Sequence, residues 1–246
     1  RDAVNVLELF AGIGGMSLGL ERAGMRVVGH VEINPFCRAV LHKHWPEVPQ
    51  HDDVRTTTAW WTSHPRPAVD VVAGGYPCQG ESLAGRRLGD EDPRWLWPAM
   101  ADVIHDLRPR YVIGENVLGH RTRGLGRVLA DLADLGYTAT AGVIRACEVG
   151  APHPRARLFV LAHTETSRLG PRGAEPGRAG TTSGEVAYRP EPARPDRWPT
   201  EPAVDRVAYG LPDRMDRLAA LGNAVVPAVA EHIGRIVHDH HQRAGR

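Results

Sequence analysis

The feature that most constrains this chain is an alternation. Short apolar runs that end in glycine are followed by stretches with helical spacing. Val4 to Phe10 is the first such run, and it stops at the turn Ala11-Gly-Ile-Gly-Gly15. Met16 to Ala23 then places apolar residues at helical intervals. Val27 to Val31 reads as a second strand and Pro35 to His44 as a second helix. Val69 to Ala73 is a third strand, ending at Gly74-Gly75. A helix is expected over Arg94 to Leu107 and a strand over Tyr111 to Ile113. A further helix is expected over Leu125 to Leu135, with Gly136 as its C-cap, then a strand over Leu158 to Ala162. The strands are mostly apolar rather than alternating, as strands buried on both faces are. The expected fold class is therefore α/β: a Rossmann-like parallel sheet with helices on both faces.

From about Glu165 to Pro212 the texture changes to Pro, Gly, Arg and Thr with little periodicity. Helical pattern returns over Met215 to Leu221 and Val226 to Val237, and the polar tail from His238 is expected to fray. Three regions follow: 1–163, a small irregular module at 164–212, and a return at 213–246. A chain of 246 residues can bury a sizeable core without disulfides. The three cysteines, Cys37, Cys78 and Cys147, are far apart, which suggests a reducing compartment and offers no metal-ligand spacing. The layout of Val4 to Phe10 is not that of a signal peptide, and no run of eighteen apolar residues occurs. The expectation is a cytoplasmic protein with no membrane and no metal. Net charge is +1, so basic character is local. Lys43 is the sole lysine, and arginines cluster at Arg86-Arg87 and at Arg121, Arg123 and Arg127. Planar guanidinium forks suit phosphates and base edges, although any single one is as readily a solvated surface group.

Four constellations carry chemistry. Glycines after a first strand let a backbone approach a ligand, and the following helix offers free N–H groups. Glu32, seventeen residues past Gly15, ends the second strand, where a carboxylate can accept from ribose hydroxyls. Asp53 follows the next helix and could take an adenine amino group. Each acid taken singly is as readily an ordinary surface carboxylate. Gly74-Gly-Tyr-Pro-Cys-Gln79 puts Cys78 in a turn beyond the third strand, where a nucleophile would face the same crevice. A free cysteine is most often a small buried hydrophobe, but its place after Pro77 in a turn argues otherwise. Glu115, in Gly114-Glu-Asn-Val117, is an acid at another strand end. Arg155 and Arg157 lie two apart in an extended segment, so they share a face suited to a carbonyl or phosphate oxygen.

In this order the motifs resemble those of the C5-cytosine DNA methyltransferase family. The resemblance joins Glu8-Leu-Phe-Ala-Gly-Ile-Gly-Gly15 (the family usually has Asp at Glu8), Glu32-Ile33, Asp53-Val54 and Pro77-Cys78-Gln79. It continues through Glu115-Asn116-Val117, Arg155-Ala-Arg157 and Gly222-Asn-Ala-Val-Val-Pro227. It implies an S-adenosylmethionine-dependent DNA (cytosine-5-)-methyltransferase. Cys78 would be the nucleophile, with Glu115, Arg155 and Arg157 as the other catalytic residues. Phe10, Ala11, Gly12, Gly14, Gly15, Glu32, Ile33, Asp53, Val54, Pro77, Asn223 and Ala224 would hold the cofactor. Gln79, Ser82, Arg86, Arg87, Arg121 and Arg123 would meet double-stranded DNA, and 164–212 would be a compact target-recognition region. A monomer is implied, with any cognate restriction endonuclease a partner in function rather than in contact. The chain departs from the family at Glu81, where an aromatic or apolar residue is usual. Beside DNA methylation, three readings stay open: an RNA cytosine methyltransferase of the same fold, a DNA-binding homologue weakened by Glu81, and an enzyme acting on a small molecule.

Overall fold

A computed structural model describes residues 3–77, 95–164 and 214–244. In chain order the elements are β1 (Asn5–Leu9), α1 (Gly15–Arg22), β2 (Arg26–Val31), α2 (Pro35–His44) and β3 (Gln50–His51). A 3-10 turn (Val54–Thr56), α3 (Thr57–Thr62), β4 (Val71–Gly74), α4 (Trp97–Leu107) and β5 (Tyr111–Asn116) follow. Then come α5 (His120–Arg123), α6 (Leu125–Asp134), β6 (Thr138–Arg145), a second 3-10 turn (Ala146–Val149), β7 (Ala156–His163), α7 (Arg214–Asn223) and α8 (Pro227–Ala244). Local signals set many of these ends. Pro35 opens α2, and the Asn34 side chain accepts from the N–H of Phe36 at 2.9 Å and of Cys37 at 3.3 Å. Arg108, at φ 47°, turns the chain out of α4 just before Pro109.

The seven strands form one sheet in the order β3-β2-β1-β4-β5-β7-β6. The first five pair in parallel, so β1, β2, β4 and β5 present their carboxyl ends along one edge. The last two depart from the expected all-parallel sheet: β7 is antiparallel to both β5 and β6. An apolar run such as Leu158 to Ala162 encodes burial, not direction. Strand β6 was not expected either. Its sequence, Thr-Ala-Thr-Ala-Gly-Val-Ile-Arg, sits half exposed at the sheet edge and lacks a continuous apolar run.

Both faces of the sheet are covered. On one, Leu7, Leu9, Val72, Val112 and Val160 pack with Trp97, Met100 and Ile104 of α4 and Val128 and Leu132 of α6. On the other, Val6, Val27, Val71, Ile113 and Phe159 meet Met16 and Leu20 of α1 and Ile233 and Val237 of α8. Each such side chain, fully buried, contributes about 1.5–3 kcal/mol. Helices α1 and α8 meet closely at two glycines. A Cβ on Gly19 would collide with the Pro227 carbonyl, and one on Gly234 would lie 2.7 Å from the Ala23 Cβ. The expected fraying after His238 is not observed, since α8 runs on to Ala244. Polar partners hold that end: Tyr111 Oη lies 3.0 Å from His240 Nδ1, and the His163 and His240 rings are 4.7 Å apart. No helix among the described residues is long and apolar enough to cross a membrane.

Candidate active site

A cavity of about 360 Å³ opens at the carboxyl ends of β1, β2, β4 and β5. That is where open α/β sheets bind ligands, and the volume lies within the usual range for small-molecule sites. It gathers residues scattered across the sequence. Phe10, Ala11, Gly12, Glu32, Ile33, Asp53, Val54, Pro77, Glu115, Arg157, Asn223 and Ala224 all line it.

One half is shaped by backbone. Phe10 leaves β1 at φ 55°, a left-handed conformation that costs a non-glycine residue about 1–3 kcal/mol and turns the chain sharply into the glycine loop. The Glu32 carboxylate is clamped between two main-chain donors, Gly12 N–H to Oε2 and Asn34 N–H to Oε1, both at 2.7 Å. Each oxygen keeps lone-pair capacity for a ligand hydroxyl. Asp53 caps the following 3-10 turn, its Oδ1 accepting from the N–H of Arg55 at 2.9 Å.

Gly14 and Gly15, expected at the cofactor, do not line the cavity. They make room for protein instead. A Cβ on Gly14 would strike the Trp45 ring, and one on Gly15 would strike the Val225 carbonyl. Thus Gly15 lets the segment after α7 come back against the loop after β1.

The other half is charged. Glu115, at the end of β5, is buried and pairs with Arg157 of β7, Oε1 to Nε at 3.1 Å. Burial raises the Glu115 carboxyl above its ordinary range, and Arg157 and then Arg155 oppose that rise. Gly75 allows this packing, since a Cβ there would lie 2.9 Å from Glu115 Oε2. Arg155 does something different from Arg157. It lies outside the cavity lining and donates to the carbonyls of Gly222 at 2.9 Å and Ala224 at 2.8 Å. It ties β7 to the returning segment. Asn116, of the same motif as Glu115, has a structural task. Its Nδ2 donates to the Tyr76 carbonyl at 2.9 Å and fixes the approach to Pro77.

Arg121 and Arg123 sit exposed on α5, just beyond the Glu115 strand, while Cys78, Gln79, Glu81, Ser82, Arg86 and Arg87 lie outside the described residues. So does the recognition region, apart from Thr164.

Two residues went unremarked in the sequence, Ser17 and His30. With Glu8 they form a buried polar group beneath the glycine loop. The signal was a polar residue inside each of two apolar elements, α1 and β2.

Solved structures give the class of protein first. A prophage-encoded DNA modification methyltransferase from Escherichia coli superposes with a TM-score of 0.57 and 26% identity, over 66% of this chain and 47% of that one. Dnmt2 methyltransferase from S. pombe gives a TM-score of 0.55 at 23% identity, over 68% of this chain and 52% of that one, a likeness of fold alone. The fold is that of an S-adenosylmethionine-dependent methyltransferase. Residues 4–201 match the family described as C-5 cytosine-specific DNA methylase, and the chain belongs to that family. Among its relatives, the type II methyltransferase M.Eco47II of Escherichia coli is 40% identical over 170 residues, 66% of this chain and 40% of that protein. M.XorII of Xanthomonas oryzae is 29% identical over 222 residues, 84% of this chain and 51% of that protein. The chain thus spans about half or less of the length of these relatives.

Proposed function

We propose that this protein is a DNA (cytosine-5-)-methyltransferase that uses S-adenosylmethionine on a short duplex target. One observation carries the reading. A single cavity joins a clamped acid at the end of β2 to an acid–guanidinium pair contributed by β5 and β7, and Pro77 also lines it. Cofactor and base would then meet in one cleft, with Cys78 one residue beyond its wall.

The residues suit the cofactor. Glu32 offers pre-oriented lone pairs to ribose hydroxyls, Asp53 an acceptor for an adenine amine, and Phe10 and Val54 apolar walls. Asn223 and Ala224 close the cavity, held by Arg155. When bound, the cofactor supplies an electrophilic methyl group.

Cytosine C5 is a weak nucleophile until C6 is attacked. The Cys78 thiolate would add at C6 and make C5 an enamine carbon. Glu115 would hold N3 and the exocyclic amine, its raised proton affinity favouring donation to the ring as negative charge builds there. Arg157 would orient Glu115 and the base. Loss of the C5 proton would then expel Cys78. The base must leave the duplex, at a cost of about a few kcal/mol. Arg121 and Arg123, with Gln79, Ser82, Arg86 and Arg87, would contact the DNA. The enzyme would work as a monomer in the cytoplasm, with a restriction endonuclease as a partner in function.

The test is incubation of duplex DNA of mixed sequence with labelled S-adenosylmethionine, followed by nucleoside analysis. The expected result is 5-methylcytosine with the native protein and none with Cys78→Ala. No 5-methylcytosine with the native protein would overturn the reading.

A further inference from the structure

Glu8 is a buried acid that no fixed cation balances among the described residues. It is 2% exposed, and it borders the cavity beside Phe10, Gly12 and Glu32. The Ser17 hydroxyl on α1 donates to its Oε2 and lies 2.8 Å from His30 Nε2 on β2. His30 is fully buried, and its Nδ1 has no hydrogen-bond partner among the described residues. Ser17 has one proton to give, so the three groups have two consistent arrangements. With Glu8 ionised, His30 Nε2–H donates to Ser17, which donates to Glu8. With Glu8 protonated, the order reverses and His30 carries its proton on Nδ1.

The surroundings favour the protonated form. Burial pushes Glu8 up to about 8, and Glu32 and Glu21 push the same way against the Ser17 hydrogen bond. Burial holds His30 down to about 4, so it supplies no countercharge at neutral pH. The facing residue of β4 is Ala73, which carries no charge.

We propose that Glu8, through Ser17 and His30, is a proton-exchanging wall of the cavity that ionises when a cationic ligand of the sulfonium or ammonium class enters. This rests on the cofactor reading above. The step balances: the carboxylic acid releases its proton to solvent, the carboxylate faces the cation, and the Ser17 and His30 protons reverse order. Binding is then linked to pH.

Calorimetry of the whole protein with S-adenosylmethionine at pH 7, in buffers of different ionisation enthalpy, tests it. The native protein should release about one proton per ligand, and its Kd should fall by up to about tenfold per unit from pH 6 to 8. Glu8→Gln should abolish that share, leaving only what the ligand's own amine contributes. Ser17→Ala keeps the acid and removes the hydrogen bond that favours its ionised form, so proton release should persist to higher pH; this variant and the native curve decide the matter if Glu8→Gln does not fold. Heat of binding with no buffer dependence, or dependence unchanged in Glu8→Gln, overturns the proposal alone. No binding at all overturns the cofactor reading with it.

Discussion

The two halves of the cleft are built by different means. In the half proposed to take the cofactor, Glu32 is held by two backbone amides, from the loop after β1 and from the start of α2. In the half proposed to take the base, Glu115 is held by a side chain, Arg157, that crosses from β7. Backbone donors survive every single substitution except one to proline. An ion pair can, and the loss leaves a buried charge that costs several kcal/mol. The difference suggests a division of labour: a rigid grip on a ligand common to every turnover, and a tunable grip on the group whose charge changes during reaction.

Substitutions can break this comparison. The largest effect is expected for Glu115→Gln, which keeps shape and removes the acid. Its kcat should fall on the order of 10²–10⁴-fold while cofactor Kd stays within about twofold. An equal effect on Kd would show the halves are not separable. Next is Glu32→Ala, expected to weaken cofactor binding by about 10–100-fold, the value of one hydrogen bond to a charged group, with kcat at saturation little changed. Arg155→Ala should be milder. It frees the Gly222 and Ala224 carbonyls, raising the cofactor KM by about 3–10-fold, with partial rescue by Arg155→Lys.

The smallest effect should touch neither half. His240 sits at the opposite edge of the sheet, against Tyr111. Burial, then His163 and Arg110, lower its proton affinity in the folded state. The unfolded chain therefore binds more protons as pH falls below about 6.5, and the stability that neutral His240 contributes above that pH is lost. Melting curves should show His240→Asn losing less of its Tm than the native protein between pH 7 and 5.5, the direction that the lowered proton affinity sets.

Much of the fold was legible because the longer parallel strands are mostly apolar and stop at turns, whereas β3, only Gln50–His51, carries no such signal. Val4 to Phe10 and Val69 to Ala73 announced both their burial and the edge where a site would form. What escaped depends on contacts distant in sequence. The direction of β7 is set by its neighbours β5 and β6. The end of α8 is ordered by Tyr111 and His163, so its polar sequence read as a tail. Within the site, spacing put Arg155 and Arg157 on one face without revealing that one grips Glu115 and the other the backbone near Asn223. Gly15 read as a cofactor glycine because nothing local announces Val225, 210 residues on.

In the proposed reaction Cys78 attacks a cytosine in this cleft. A duplex carrying 5-fluorocytosine tests it most directly, because the C5 fluorine cannot leave as a proton does and the covalent adduct is trapped. With S-adenosylmethionine present, the account predicts a protein–DNA complex that survives denaturation, has the mass of both partners plus one methyl group, and maps to Cys78. An adduct that persists in Cys78→Ala, or no adduct with a native protein that methylates ordinary DNA, would contradict it.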